Sequence, residues 1–254
     1  ELEDVKGYVS FNNVTFRYPE TSGEPALKNI NISVKPGETL AILGATGSGK
    51  STMVNLIPRF YDVTDGEIDL DGVNIKELTL HNLRRNIGVV FQKTELFTGT
   101  IEENIKWGNG NATKEEVIEA CKIAQADDFI TGFKDGYDTI IGEKGSSLSG
   151  GQKQRLAIAR AIVKKPKVLI FDDATSALDL KTEASLYKAL RENLKDTTIF
   201  LVAQRVASAK GATKIMVLDD GKVSAVGTND QLLKTSKIYQ DIYNSQLKQD
   251  EVVK

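Results

Sequence analysis

The segment Gly44-Ala45-Thr46-Gly47-Ser48-Gly49-Lys50-Ser51-Thr52 constrains the fold of this chain more than any other stretch. It satisfies the pattern G-x-x-x-x-G-K-[ST] at every fixed position. Thr39 to Leu43 before it is an apolar run of strand length, and the pattern after it predicts a helix over 52–60. A glycine-rich turn between a strand and a helix curls so that successive N–H groups point inward, and the helix adds its positive N-terminal end. Such a cradle suits a phosphate chain. Lys50 is expected to reach the β- and γ-phosphates and Ser51 to ligate Mg²⁺, with Gly44, Thr46, Gly47, Ser48, Gly49 and Thr52 lining the loop. The expected ligand is a nucleoside triphosphate.

The rest of the chain narrows the class. Its 254 residues give room for one large domain or two small ones. A formal net charge of −2 supplies no basic field for nucleic acid, and no nucleic-acid partner is expected. No apolar run approaches the roughly 18 residues of a membrane helix, and no signal-peptide pattern opens the chain. Glu1 stands where a methionine would begin a complete reading frame, as in a piece excised from something longer. Cys121 has no second cysteine to pair with and falls on the apolar face with Val117 and Ala124, so it is expected in the core.

In chain order, Tyr8–Phe11 with Val14–Phe16, then Ile30–Val34, Glu67–Leu70 and Ile87–Phe91, read as strands. From about Thr100 to Ile162 the pattern turns helical, with a capping box at Thr113-Lys114-Glu115-Glu116. The apolar run Val168–Phe171 suits a buried parallel strand. A helix over 180–195, strands over 197–202, 214–218 and 222–227, a short helix near 206–210 and a polar helical tail follow. His81 is expected on the surface of a helix. The fold class is α/β: a parallel-sheet core over 1–92 and 164–254 with an N-terminal antiparallel β part, and a helical insertion near 93–163.

Two further motifs complete a site. Asp172 ends the buried strand, where an enzyme with a phosphate loop holds its Mg²⁺. Ser149-Gly150-Gly151-Gln152, following Leu148, opens a second helix and offers a second anion site, which should face a different nucleotide. With these residues the chain resembles the ABC-transporter ATPase family, and the resemblance covers nearly the whole chain. It implies the ABC-type version of the P-loop NTPase fold, with residues 1–254 as a single nucleotide-binding domain that binds ATP and Mg²⁺. It also implies that two such domains dimerise head to tail, so that Ser149–Gln152 closes over nucleotide on the partner's loop.

The resemblance assigns Tyr18 to stacking on adenine, Gln92 to Mg²⁺ and water, and Asp179 to a loop crossing the dimer interface. Arg59–Asp62, Phe97–Ile105 and Gly142–Gly145 resemble exporters in particular. There, the region of Gln92 and residues 142–145 would meet transmembrane domains, which places the domain at the cytoplasmic face of a membrane. The transmembrane part itself lies outside this chain.

Two positions depart from the family pattern. Asp173 stands where a glutamate polarises the attacking water, and Gln204 replaces the histidine of the switch loop. Asp is one methylene shorter than Glu, which withdraws the carboxylate by ~1.5 Å. A misplacement of about 1 Å can cost on the order of 10²-fold in rate. Gln204 can donate a hydrogen bond to a phosphate but carries no charge. The pattern resembles the degenerate half of a heterodimeric exporter, which binds ATP tightly and hydrolyses it slowly. An engineered or drifted homodimeric exporter, a domain that only clamps ATP, and a soluble ABC-type ATPase are the alternatives.

Overall fold

The computed structural model describes residues 1–20 and 22–252. They form two compact units, residues 1–84 with those from 196 onward, and residues 85–195. The first unit begins with β1 (Val9–Phe16), β2 (Leu27–Val34), β3 (Thr39–Leu43), α1 (Lys50–Leu56), β4 (Asp65–Leu70), β5 (Val73–Asn74) and α2 (Leu80–Arg85). β1 pairs antiparallel with β2 on one side and β4 on the other, and β5 continues from β4. Val9, Phe11, Val14 and Phe16 point into the core from one face of β1. The two strand pieces expected there are one strand with shifted register between Phe11 and Val14. Asn13 absorbs the irregularity in the left-handed region at φ 50°, which asparagine tolerates better than most residues.

α1 begins two residues before the expected start and stops short of Phe60. Pro58 has no N–H to continue the ladder, and Arg59 turns the chain at φ 56°. His81 lies exposed on α2.

The second unit contains β6 (Ile87–Phe91), β7 (Gly99–Thr100), α3 (Ile101–Lys106), α4 (Lys114–Ile123), α5 (Asp127–Thr131), β8 (Ile140–Ile141), α6 (Gly150–Val163), β9 (Val168–Asp172) and α7 (Leu180–Asn193). α3 and α4 both pack on α6. The capping box at Thr113 and Glu116 is formed, and boxes at Thr100/Glu103 and Ser149/Gln152 start α3 and α6 in the same way. Val117, Cys121 and Ala124 are buried on one face, and burial pushes the Cys121 thiol pKa up to about 12. The stretch expected to be helical is interrupted by the β7–β8 pair, Gly99 opposite Ile141 and Thr100 opposite Ile140. Two-residue strands are too short to leave a period in sequence. β6 and β9 run parallel, in register from Ile87 with Val168 to Phe91 with Asp172.

The chain returns to the first unit with β10 (Thr198–Val202), α8 (Val206–Ala209), β11 (Lys214–Asp219), β12 (Lys222–Gly227), α9 (Asn229–Thr235) and α10 (Lys237–Val252). β3 lies between β10 and β11, parallel to both, and β12 pairs antiparallel with β11. Val202 and Met216 both stand opposite Ile42. The loops after β3 and β10 therefore leave the same edge of adjacent parallel strands, the edge where α/β sheets bind ligands. Among the described residues no helix is long and apolar enough to cross a membrane.

Candidate functional site

In the first unit the loop between β3 and α1 is shaped by close backbone approaches. Gly44 has φ 156°, and a Cβ there would stand 2.4 Å from the Leu218 carbonyl oxygen. Gly49, the N-cap of α1, has φ 104°, and a Cβ would meet Ala26 O at 2.8 Å. Ser48 N–H donates to Ala45 O at 3.1 Å, and Gly221 N–H donates to Ser48 O at 3.0 Å, which stitches the loop to the turn after β11. The first turn of α1 carries no acidic side chain, so none offsets the positive end of the helix dipole. Lys50 Nζ donates to Gly44 O at 2.7 Å and Ala45 O at 2.9 Å, which holds the ammonium against the loop. Ser48 Oγ is buried without a hydrogen-bond partner among the described residues. An ammonium held against a glycine-shaped loop and an unmatched buried hydroxyl fit the chemistry of a phosphate chain. Thr46 and Ser51 are exposed on this loop and the first turn of α1.

Two other expected residues belong to this unit. The Tyr18 hydroxyl shares a 2.8 Å hydrogen bond with Thr52 Oγ1, which ties its ring to α1. Tyr61 meets that ring edge-on at 5.3 Å. Gln204 is exposed two residues past β10, and Ala203 N–H donates to Ile42 O at 3.2 Å, so Gln204 follows the strand beside the phosphate loop.

In the second unit the β6–β9 register carries Gln92 and the pair Asp172–Asp173 off adjacent strand ends. Asp173 takes φ 54°, a left-handed conformation better suited to Asp than to Glu. Among the described residues no three His, Cys, Asp or Glu side chains form a metal cluster. Mg²⁺ needs no such cage, because it keeps waters and takes one or two carboxylates with substrate phosphates. The oxygens of Ser51, Asp172 and Gln92 are of the hard type that it prefers.

Ser149 and Gln152 spend their side chains on the start of α6. Ser149 Oγ accepts from Gln152 N–H at 3.2 Å, and Gln152 Oε1 accepts from Ser149 N–H at 3.0 Å. Gly150 and Gly151 pack on the loop after β9: a Cβ on Gly151 would stand 3.0 Å from Ala177 O. Asp179 caps α7 through Thr182, whose hydroxyl and N–H hold its carboxyl pKa below the ordinary value.

Three polar residues that anchor these loops are absent from the expected site. Gln154 is 4% exposed; its Oε1 accepts from Ala177 N–H at 3.0 Å, and its Nε2 donates to Ser176 Oγ at 3.3 Å. Glu183, also buried, accepts from Thr175 Oγ1 at 2.6 Å. Gln246 holds the main chain around Arg205. Each had a sequence signal, a polar residue on an apolar helical stripe: Gln154 with Ile158 and Ala161, Glu183 with Leu186 and Leu190, Gln246 with Tyr239 and Ile242.

The ABC transporter family model matches residues 27–176, which contain the phosphate loop, the α6 start and Asp172. This chain belongs to the ABC transporter family. Over 242 residues, 95% of the chain, it is 47% identical to the ABC transporter ATP-binding protein YfiB of Bacillus subtilis, covering 42% of that protein. A putative multidrug export ATP-binding/permease protein of Staphylococcus aureus is 46% identical over 245 residues, with 96% of this chain and 42% of that protein covered. A bacterial Atm1-family ABC exporter solved with ATP bound superposes with a TM-score of 0.91 at 38% identity, over 97% of this chain and 42% of that one. The chain thus spans less than half the length of these relatives. ABC ATPase domains bind ATP, normally with Mg²⁺, and the family implies ATP hydrolysis.

Proposed function

We propose that this chain is the ATP-binding domain of an ABC exporter, working head to tail with a second domain at the cytoplasmic face of a membrane. The observation that carries the reading is the pairing of intact binding machinery with two altered chemical positions. The sequence keeps the phosphate loop, Lys50 and Tyr18 for the nucleotide, and Gln92 and Asp172 for Mg²⁺. Asp173 and Gln204 replace the groups that would orient water and stabilise the γ-phosphate. Lys50 binds the phosphates, Tyr18 carries the base, and Asp173 orients water from a carboxylate one methylene short. Gln204 donates a neutral hydrogen bond where charge develops. Mg²⁺, when bound, neutralises charge on the phosphate oxygens. ATP is therefore held well and cleaved slowly, and Ser149–Gln152 serves nucleotide on the second domain, which is a different chain.

Transmembrane partners are supported by the names of the permease-fused relatives and by surface chemistry in the second unit. A cavity of about 380 Å³ beside Gln92 is lined by Phe91, Lys93, Thr94, Phe97, Arg160 and Lys164. Phe97 stacks on Trp107 at 4.6 Å, and Trp107 is 67% exposed. Residues 142–145 form a short turn with Lys144 at φ 53°. The altered pair also favours a second reading, in which the domain clamps ATP without turning it over; single-turnover cleavage separates the two. The site itself is tested by calorimetry of Mg-ATP with Lys50→Ala. Loss of the charge at the β- and γ-phosphates should weaken binding by about 10-fold or more. Unchanged affinity would overturn the site.

A further inference from the structure

The segment that follows β10 is secured from both sides. Ala203 N–H donates to Ile42 O at 3.2 Å and ends the pairing of β10 with β3. Arg205, extended at φ −97° and ψ 130°, is the N-cap of α8, and its side chain makes no capping bond to the helix N–H groups. Val206 N–H, at the first position of α8, therefore has no acceptor within its own helix. α10 supplies one. Along α10, Tyr239 is fully buried, and Ile242, Tyr243 and Gln246 follow three, four and seven residues later, partly buried. A side chain at that position of a stripe ordinarily packs against apolar neighbours.

Gln246 instead turns its amide on the main chain. Its Oε1 accepts from Val206 N–H at 2.7 Å, and its Nε2 donates to the Gln204 carbonyl at 2.7 Å. Both bonds go to backbone atoms on either side of Arg205, so they are indifferent to which side chain residue 204 carries. A side-chain amide accepts the first of these through its oxygen and donates the second through its nitrogen at once.

We propose that Gln246 is a positioning residue for ATP hydrolysis. It fixes the backbone of 204–206 and so sets where the Gln204 side chain stands beside the phosphate loop leaving the neighbouring strand. The inference rests on the reading of Gln204 given above. It makes the C-terminal helix part of the catalytic apparatus while leaving nucleotide binding to the phosphate loop.

Three substitutions dissect the clamp. Gln246→Leu removes both bonds, Gln246→Glu keeps only the acceptor for Val206 N–H, and Gln246→Lys keeps only a donor for the Gln204 carbonyl. Each is followed by hydrogen exchange over 203–207, by Mg-ATP calorimetry and by single-turnover cleavage under the same assembly conditions as the parent. With Gln246→Leu, exchange at Val206 should rise about 10-fold, from the loss of one hydrogen bond in a local opening. Cleavage should slow by about 5- to 10-fold, while ATP affinity stays within about twofold. Gln246→Glu should keep the Val206 amide protected, Gln246→Lys should not, and both should cleave at intermediate rates. A parental cleavage rate in Gln246→Leu, or parental exchange at Val206, would overturn the proposal. Should Gln246→Leu fold poorly, the two half-clamps decide the matter by the same readouts. Failure of the unsubstituted chain to bind Mg-ATP would instead strike the functional reading, since position 246 plays no part in that result.

Discussion

The phosphate loop of the first unit and the loops at 149–152 and 173–179 of the second both hold main chain in a defined path, but by different means. Around Gly44 and Gly49 the path exists because backbone approaches backbone with no room for a Cβ. Around Ser176 and Ala177 it exists because one buried amide, Gln154, accepts from one residue and donates to its neighbour. The first arrangement is intolerant of any added atom. The second is intolerant of losing one polar group. Sequence motifs capture the first kind well, because glycine spacing is itself the mechanism. They miss the second, because the anchoring residue lies outside the loop that it anchors.

The largest effect expected from this contrast is in the first unit. Gly44→Ala forces a Cβ against the Leu218 carbonyl at an unfavourable φ, and should cost about 3 kcal/mol in urea denaturation. Gly47→Ala provides the control: its φ is 80° but no atom lies within 4 Å of the added Cβ, so only the conformational cost of about 1 kcal/mol is expected. Equal losses at the two positions would show that φ, and not close approach, shapes the loop.

In the second unit, Gln154→Leu keeps the volume roughly constant and leaves Ala177 N–H without its amide partner. A loss of about 2 kcal/mol is expected, with faster hydrogen exchange over 175–178. An unchanged melting curve and unchanged exchange would remove the contrast between the two units. The smallest effect concerns the core of the same unit. Cys121 is fully buried with its thiol pKa pushed up to about 12, chiefly by burial. At pH 8 the thiolate fraction is negligible. A thiol reagent should therefore label Cys121 only at the rate of unfolding, and rapid labelling of the native chain would show that the α4 face is open.

Much of the architecture is legible in the sequence. Alternation along each half of β1, the continuous apolar run of β9 and the capping box of α4 report their structures directly, since period and cap are local physics. Departures arose where a few residues or a tertiary contact decide the outcome. Pro58 and Arg59 cut α1 short, Asn13 joined two strand pieces through an irregularity, and β7 with β8 formed a pairing too brief to show a period. In the candidate site, residues named by motif stand on the loops where the motif would put them: Gly44–Thr52 after β3, Asp172 at the end of β9, Ser149–Gln152 at the start of α6. The amide anchors at 154 and 246 depend on partners far along the chain. Only a polar residue on an apolar stripe hinted at those anchors.

The central claim is that ATP binding is intact in this domain while Asp173 and Gln204 limit cleavage. It is tested most directly by single-turnover cleavage in Asp173→Glu with Gln204→His. The assay belongs in an assembled dimer whose other site is inactivated and whose opposing signature is intact. The two side chains act on one transition state, so either change alone should do little. The left-handed backbone at 173, which suits Asp better than Glu, offsets part of the gain. Together they should raise the cleavage rate by about 10-fold or more, with Mg-ATP affinity moving by less than about 1 kcal/mol. A doubly substituted domain that binds Mg-ATP as the parent does, yet cleaves it no faster, would contradict the account.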